Sequence, residues 1–574
     1  MNIEQLTSEH LAVWTGAQVA KAAGGRGRGK KNEDVQSYGI KKLRELILEL
    51  AVRGKLVPQD SADEPAAVLL ERIAAEKARL VKEGKIKRQK KLPEISEEEK
   101  PFGLPEGWEW VRLQQIIQVS SGDNLTAANM NSDGEIPVFG GNGITGYHDK
   151  ANVTKQTLVI GRVGYYCGSV HITPDVAWVT DNAFKTTYPE DNIYLHFLYW
   201  LLNGTNLKEH ENATAQPVIS GRKIYPIVIG LPPLSEQHRI VAKVDELMAL
   251  CDRLEQQQSD SAATHQALIA TLLDALTNSA DHTEFAATWQ RIAENFEILF
   301  TTEQSIDQLK QTILQLAVMG KLVPQNPEDE PAAVLLEKIA AEKTRLIKEG
   351  QIKRQKKLPE ITEEEKPFAL PSGWEWARFD SLSLHSEAGW SPKCESAPRV
   401  GNNWGVLKVS AVTWGNYNPD ENKALPDNLE PKPEYEVKPR DFLISRANTA
   451  QLVARSVVVP DDAPAQLMMS DKIIRFVFSS KVDVEFINRV NSSSFCRDYY
   501  ARIAGGTSSS MKNVSRVNIR NLPIPLPPLP EQHRIVTKVD ELLTLCDTLK
   551  SRLHKARSTQ VQLADALVAQ VVDA

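Results

Sequence analysis

The feature that most constrains this chain is an internal repeat. Leu43–Gln59 (LRELILELAVRGKLVPQ) returns as Leu309–Gln325 (LKQTILQLAVMGKLVPQ), and the match runs on to Trp110 and Trp376 with 53 of 68 positions identical. A shorter repeat pairs Leu231–Glu255 with Leu526–Lys550, where 19 of 25 positions are identical. Self-similarity of this extent makes two tandem halves with equivalent surfaces. Between the repeats lie two segments that do not resemble each other, Val111–Gly230 (120 residues) and Ala377–Pro525 (149 residues). Identical frames around unlike inserts imply two equivalent positions that hold the same partner or geometry but read different things.

Within the frames the apolar spacing is helical. Ile240, Val244, Leu247, Cys251 and Leu254 recur at intervals of four and three, and Ile535, Val539, Leu542, Cys546 and Leu549 repeat the pattern. The stripe resumes at Leu268 and Leu272 in the first copy and at Leu553, Leu563 and Leu567 in the second. A narrow stripe flanked by charge is best buried against another such helix, so the copies are expected to form an intramolecular antiparallel coiled coil. Ser235 and Glu236, and Pro530 and Glu531, suit the first turns of these helices, while His238 and His533 read as structural. The longer repeat predicts arm helices ending at Gly54 and Gly320 and further helices from Pro65 to Gly84 and from Pro331 to Gly350. Trp108, Trp110, Trp374 and Trp376 belong to the repeated frame and read as core anchors. The charged connector that follows, with Lys85, Lys87, Arg88, Lys90 and Lys91, reads either as a solvated linker or as a phosphate contact.

The inserts are rich in short β-branched and aromatic runs broken by Gly, Pro and Asp, with short helices after them. The expected fold class is therefore α+β: two α/β insert domains separated by long helices, with helical arms and pseudo-two-fold tandem halves. The implied boundaries are a flexible, basic Gly-rich N-terminal arm over 1–38, an arm and connector over 39–101, and the first insert domain over 102–232. A central helix and linker over 233–304, a second arm and connector over 305–367, the second insert domain over 368–527 and a C-terminal helix over 528–574 complete the chain.

Composition narrows the chemistry. A length of 574 residues exceeds one compact domain, and a net charge of −6 argues against holding polyanions by gross charge. Lys21, Arg26, Arg28, Lys30 and Lys31 form a local basic arm. No apolar run approaches the roughly 18 residues of a membrane span, and no export signal opens the sequence, so a cytoplasmic location without membrane attachment is expected. The five cysteines form no C-x-x-C pair, which supports neither zinc nor a disulfide framework. Gly24–Lys31 approximates a phosphate-binding loop but has Lys31 where Ser or Thr must ligate magnesium. Glu98–Lys100 and Glu364–Lys366 lack the apolar strand of a nuclease metal site, and no amino-methyltransferase signature appears. The chain reads as non-catalytic, with no cofactor or metal of its own.

The segments LPPLSEQHRIVAKVDEL and LPPLPEQHRIVTKVDEL, each following a distinct α/β insert, resemble the repeated regions of the specificity subunit of type I restriction-modification enzymes. GRVGYYCG and WVTDNAF in the first insert fit the same family, and the GKLVPQ and KRQKKLPEI repeats resemble its long-armed branch. The resemblance implies that the inserts are target recognition domains, each reading one half of a split, asymmetric sequence in double-stranded DNA. It also implies that the frame helices bind two modification subunits carrying S-adenosylmethionine, and that restriction (motor-nuclease) subunits using ATP and Mg complete the complex.

Base reading favours Arg, Lys, Asn, Gln, Ser and Thr on loops. The expected readers are Asn142, Lys155, Arg162, Tyr165, Thr180, Asn182 and Lys185 in the first insert. In the second they are Arg446, Asn448, Gln451, Arg455, Ser508, Ser509, Ser510, Lys512 and Asn513. Residues 102–231 carry 8 basic and 12 acidic residues and 368–526 carry 19 and 17, so neither insert is a phosphate clamp alone. The coiled coil would act as a ruler: at ~1.5 Å per residue against about 3.4 Å per base pair, deleting four residues shortens the spacer by nearly two base pairs. The competing reading is an assembly scaffold on the same helices without sequence-specific DNA binding.

Overall fold

The computed structural model describes residues 3–20, 35–131, 133–205, 207, 218–506 and 511–573. The basic residues Lys21, Arg26, Arg28, Lys30 and Lys31 and the expected readers Ser508, Ser509 and Ser510 lie outside them. The chain divides into two compact units, residues 1–262 with 555–574, and residues 263–554. The division falls inside the two long helices. Leu234–Thr277 begins in the first unit and finishes in the second, whereas Leu529–Asp573 begins in the second and finishes in the first. Helices that exchange ends in this way run as the antiparallel coiled coil requires.

Each unit adds a third helix to that pair. In the first unit the arm helix Tyr38–Val52 buries Ile40, Leu43, Leu46 and Ile47 in one core with Ile240, Val244, Leu247 and Cys251 of one long helix and Ala564 of the other. Arg44 donates to Asp252 at 2.7 Å and Glu255 at 3.0 Å, and the Tyr38 hydroxyl donates to Asp565 at 2.7 Å. In the second unit the arm helix Glu303–Val318 does the same with Ile535, Val539 and Cys546 and with Ile269, Leu273 and Leu276. Both arm helices stop before glycines at φ +68° and +70°, Gly54 and Gly320, where a Cβ would fall 2.5 Å from Pro105 and Pro371.

The third helix corrects the detailed stripe. Leu268 and Leu563 are about half exposed, while Ile269 and Ala564 are buried in their stead. A strict 3.5-residue repeat must supercoil to stay on its seam, and a straight helix drifts from it by ~20° per heptad. The seam from Ile240 to Leu276 follows the straight-helix period, because an arm helix widens the apolar face that the stripe may use.

The two heads share a topology that their sequences hide. In the first, strands Gln118–Ser121, Ala183–Thr187, Leu158–Gly161 and Val170–Ile172 form a four-stranded antiparallel sheet in that order. Ser383–Ala388, Ile473–Phe478, Phe442–Ser445 and Ser456–Val458 repeat it in the second. A smaller sheet follows suit. Ile136–Gly140 pairs antiparallel with Gly143–His148 and parallel with Trp178–Val179, as Gly405–Leu407 does with Asn422–Ala424 and Leu467–Met468. Each head begins and ends on paired strands, Glu109–Arg112 with Val228–Leu231 and Glu375–Arg378 with Pro523–Leu526. A domain that leaves and rejoins its frame side by side can be exchanged without disturbing that frame.

Candidate functional site

The joint between frame and head explains the repeated LPPLxEQHR sequence. Glu236, almost wholly buried in the first turn of the long helix, accepts from the Trp108 indole N–H at 2.9 Å and from the Gln59 side-chain amide at 3.2 Å. Glu531 accepts from Trp374 and Gln325, both at 3.1 Å. Burial pushes both carboxyls above the ordinary glutamate range, against these donors. One carboxylate thus ties the arm, the residue that leads into the head's first strand and the long helix. Gln237 and Gln532, also buried, accept from the backbone N–H of Tyr194 and of Asp483 in the heads. His238 stacks on Tyr194 and His533 bonds Asp483, which fits their structural reading.

The connectors are docked, not free. Arg112 reaches both oxygens of Glu99 at 2.9 Å and the carbonyls of Pro93 and Pro226, and Arg378 repeats this with Glu365, Pro359 and Asn521. The Arg112 guanidinium holds the Glu99 carboxyl down at about 2. Lys87, Arg88, Lys90 and Lys91 stay exposed on that strap, as do Lys353, Arg354, Lys356 and Lys357 on its twin. Glu98 and Lys100 meet no ion site: among the described residues no His, Cys, Asp or Glu cluster is arranged to hold a metal.

In the first head the expected readers converge at one end of the four-stranded sheet. Arg162 follows strand Leu158–Gly161, donates its backbone N–H to the Asn182 carbonyl at 2.9 Å, and reaches the Asp181 carbonyl and Ser121 hydroxyl at 3.3 and 3.4 Å. Its guanidinium lies over the Phe184 ring, 5.5 Å from the centroid. Asn142 and Asn182 are exposed beside it, Lys185 pairs with Asp123 at 3.3 Å, and Tyr165 projects at 72% exposure. Thr180 lies beneath them, 2% exposed, with a hydroxyl that has no partner. Lys155 stands apart, preceding the same strand and paired with Glu190.

The second head builds the same end with other side chains. Ala447–Asn448 pairs with Lys512–Asn513, which places Arg446, Asn448, Lys512 and Asn513 on one ribbon. Asn448 donates to the Thr413 hydroxyl at 3.2 Å, and Lys512 to the Gly506 carbonyl at 2.7 Å. Gln451 is exposed on the following turn. Arg455 is half-buried, and burial lowers its pKa, as it does that of neighbouring Arg497, held at about 10. Trp414, 69% exposed beside Thr413, and Lys472 escaped the sequence reading because nothing in their local composition marks them.

Comparison with known proteins matches two copies of a family model described as the type I restriction modification DNA specificity domain, over residues 105–263 and 402–556. The chain is 42% identical over 99% of both lengths to the EcoEI specificity subunit of type I restriction enzymes from Escherichia coli. It is 40% identical, again over 99% of both, to the EcoAI specificity subunit from the same organism. A solved chain titled for complex assembly and conformational transition of the type I R-M system covers 82% of this chain and 99% of its own, at 17% identity and a TM-score of 0.49. Among the described residues no helix is long and apolar enough to cross a membrane.

Proposed function

This chain belongs to the type I restriction-modification DNA specificity family, and from that membership we propose that it selects the DNA target of such a complex, each head reading one half of a bipartite, asymmetric site. The observation that carries this is the contrast within the molecule: two frames whose joints are bonded alike, Trp108, Gln59 and Glu236 matched by Trp374, Gln325 and Glu531, hold two heads of one topology whose exposed loops differ. Equivalent frames suit two copies of one partner, and unlike readers suit an unsymmetric target.

The partners are two modification subunits docked on the frame helices, joined by restriction subunits in the complete complex. Neither head has a cationic surplus large enough to hold duplex by charge, so the modification subunits supply most phosphate contacts. S-adenosylmethionine belongs to the modification subunits, ATP and Mg to the restriction subunits, and the chain works in the cytoplasm. The test is to replace Val111–Gly230 with the corresponding insert of another specificity subunit and sequence the methylome of cells that also express the modification subunit. One half-site should change while the other stays. An unchanged motif would instead support the assembly scaffold.

A further inference from the structure

The two inserts have no visible sequence similarity, yet their main-chain hydrogen bonds superimpose. Strand Leu158–Gly161 is followed by Arg162, and Phe442–Ser445 by Arg446. The Arg162 N–H donates to the Asn182 carbonyl and its own carbonyl accepts from the Ile219 N–H, both at 2.9 Å. The Arg446 N–H donates to the Lys472 carbonyl and its carbonyl accepts from the Val514 N–H, again both at 2.9 Å. The next residue pairs across in each head, Val163 with Val218 and Ala447 with Asn513.

The surrounding turn agrees as well. Ala183 N–H closes on the Thr180 carbonyl at 3.1 Å and Ile473 N–H on the Ser470 carbonyl at 3.0 Å, and both Thr180 and Ser470 carry a buried hydroxyl without a partner. A glycine faces each turn where nothing larger fits: a Cβ on Gly122 would lie 2.3 Å from the Val179 carbonyl oxygen, and one on Gly389 2.0 Å from that of Met469. One arginine therefore occupies the same backbone position in both heads, clamped from two sides at the end where the expected readers gather.

Its backbone position is what distinguishes it. Several cations of the heads are spent on carboxylates, Lys155 on Glu190, Lys185 on Asp123, Arg475 on Glu387 and Asp441, and Arg520 on Asp380. Among the described residues no carboxylate pairs with Arg162 or Arg446, and both are half-buried. A planar fork of donors on a fixed backbone matches the O6 and N7 acceptors of guanine, and in Arg162 it is Nη1 that makes the bonds to Asp181 and Ser121, which leaves the Nε and Nη2 donors for a base. We propose that Arg162 and Arg446 are the equivalent base readers of the two heads, each taking one guanine of its half-site through the major groove. This rests on the DNA-reading function above. The heads differ in how the side chain is held. Phe184 and Ser121 support Arg162, whereas Ile474 and Ala388 stand at the matching strand positions near Arg446.

The experiment uses the full chain assembled with its modification subunit. Arg162→Gln should relax one guanine position of one half-site, with discrimination there falling roughly ten- to a hundredfold, and leave the other half-site intact. Arg446→Gln should do the converse. Arg162→Lys keeps the charge but not the fork, and should relax the same position. Should a variant methylate too weakly to give a motif, binding to duplexes carrying 7-deazaguanine at that position decides: the substitution should weaken the wild-type complex and add nothing to the loss in Arg162→Gln. A half-site without guanine, a uniform weakening with an unrelaxed motif and a reduced salt dependence, rescue by lysine, or an additive 7-deazaguanine loss would each overturn the proposal. The insert replacement is the separating control. If it changes a half-site and Arg162→Gln does not, only this assignment falls; if it changes nothing, the reading function falls with it.

Discussion

The frames and the heads are both duplicated, but they are duplicated at different levels. In the frames the two copies agree in their side chains: Trp108, Glu236 and Gln59 are matched by Trp374, Glu531 and Gln325, and the Arg112–Glu99 pair by Arg378–Glu365. In the heads they agree in their main-chain ladders and in very little else. A structure held by main-chain bonds leaves its exposed side chains free to vary, whereas one held by a buried carboxylate and an indole does not. That difference lets one half of the molecule stay constant while the other changes what it reads.

Breaking a frame contact should therefore cost far more stability than altering a reader. Trp108→Ala removes a buried indole and one of the two side-chain donors to Glu236, and should lower stability by about 3–5 kcal/mol in thermal unfolding. Arg162→Gln, which gives up the contact with Phe184, should cost no more than about 1 kcal/mol. The connectors sharpen the comparison from the side of binding. If they touch phosphates, replacing Lys87, Arg88, Lys90 and Lys91 by serine should weaken the assembled complex on every sequence alike and reduce the slope of log affinity against log salt by up to about 4. An unchanged slope would assign the strap to solvent.

Not every frame contact is duplicated. Lys550 bonds Asp307 at 3.0 Å in the second unit, whereas Glu255, at the matching helix position, accepts from Arg44 in the first, and Lys41 stands where the second arm has Asp307. This exchange of sign favours each arm on its own long helix. Glu255→Lys should cost up to about 1 kcal/mol, recovered when combined with Lys41→Asp, the pairing of the second unit, in a double-mutant cycle of thermal stability.

The smallest expected effect is one of pH. Burial raises the Glu236 carboxyl, so the folded chain keeps that proton at a pH where the unfolded chain has lost it. Its contribution is fully present below the ordinary glutamate value and declines as pH rises through the folded one. Glu236→Gln should flatten the stability profile over that window, measured by urea unfolding across pH.

Much of the frame was legible because its information is local and doubled. Apolar spacing placed the long helices, and glycines and prolines placed the ends of the arms. The slip from Leu268 to Ile269 was not, since the seam depends on a third helix that only the tertiary structure supplies. In the heads, Arg162 and Arg446 stood out as loop cations, but their equivalence could not be read. It resides in backbone bonds to Asn182 and Lys472, residues with no chemistry in common, and no alignment of side chains carries it. Lys155 drew attention for its charge and proved to sit beyond the far end of the strand, paired with Glu190.

The central claim is that two interchangeable sockets present independent readers, and it is tested most directly by giving both sockets the same reader. A chain in which Ala377–Pro525 is replaced by a second copy of Val111–Gly230, expressed with the modification subunit, should methylate a palindrome made of one half-site of the natural motif, with the spacer unchanged. A motif that keeps both original halves, or a well-folded complex that methylates nothing, would contradict it.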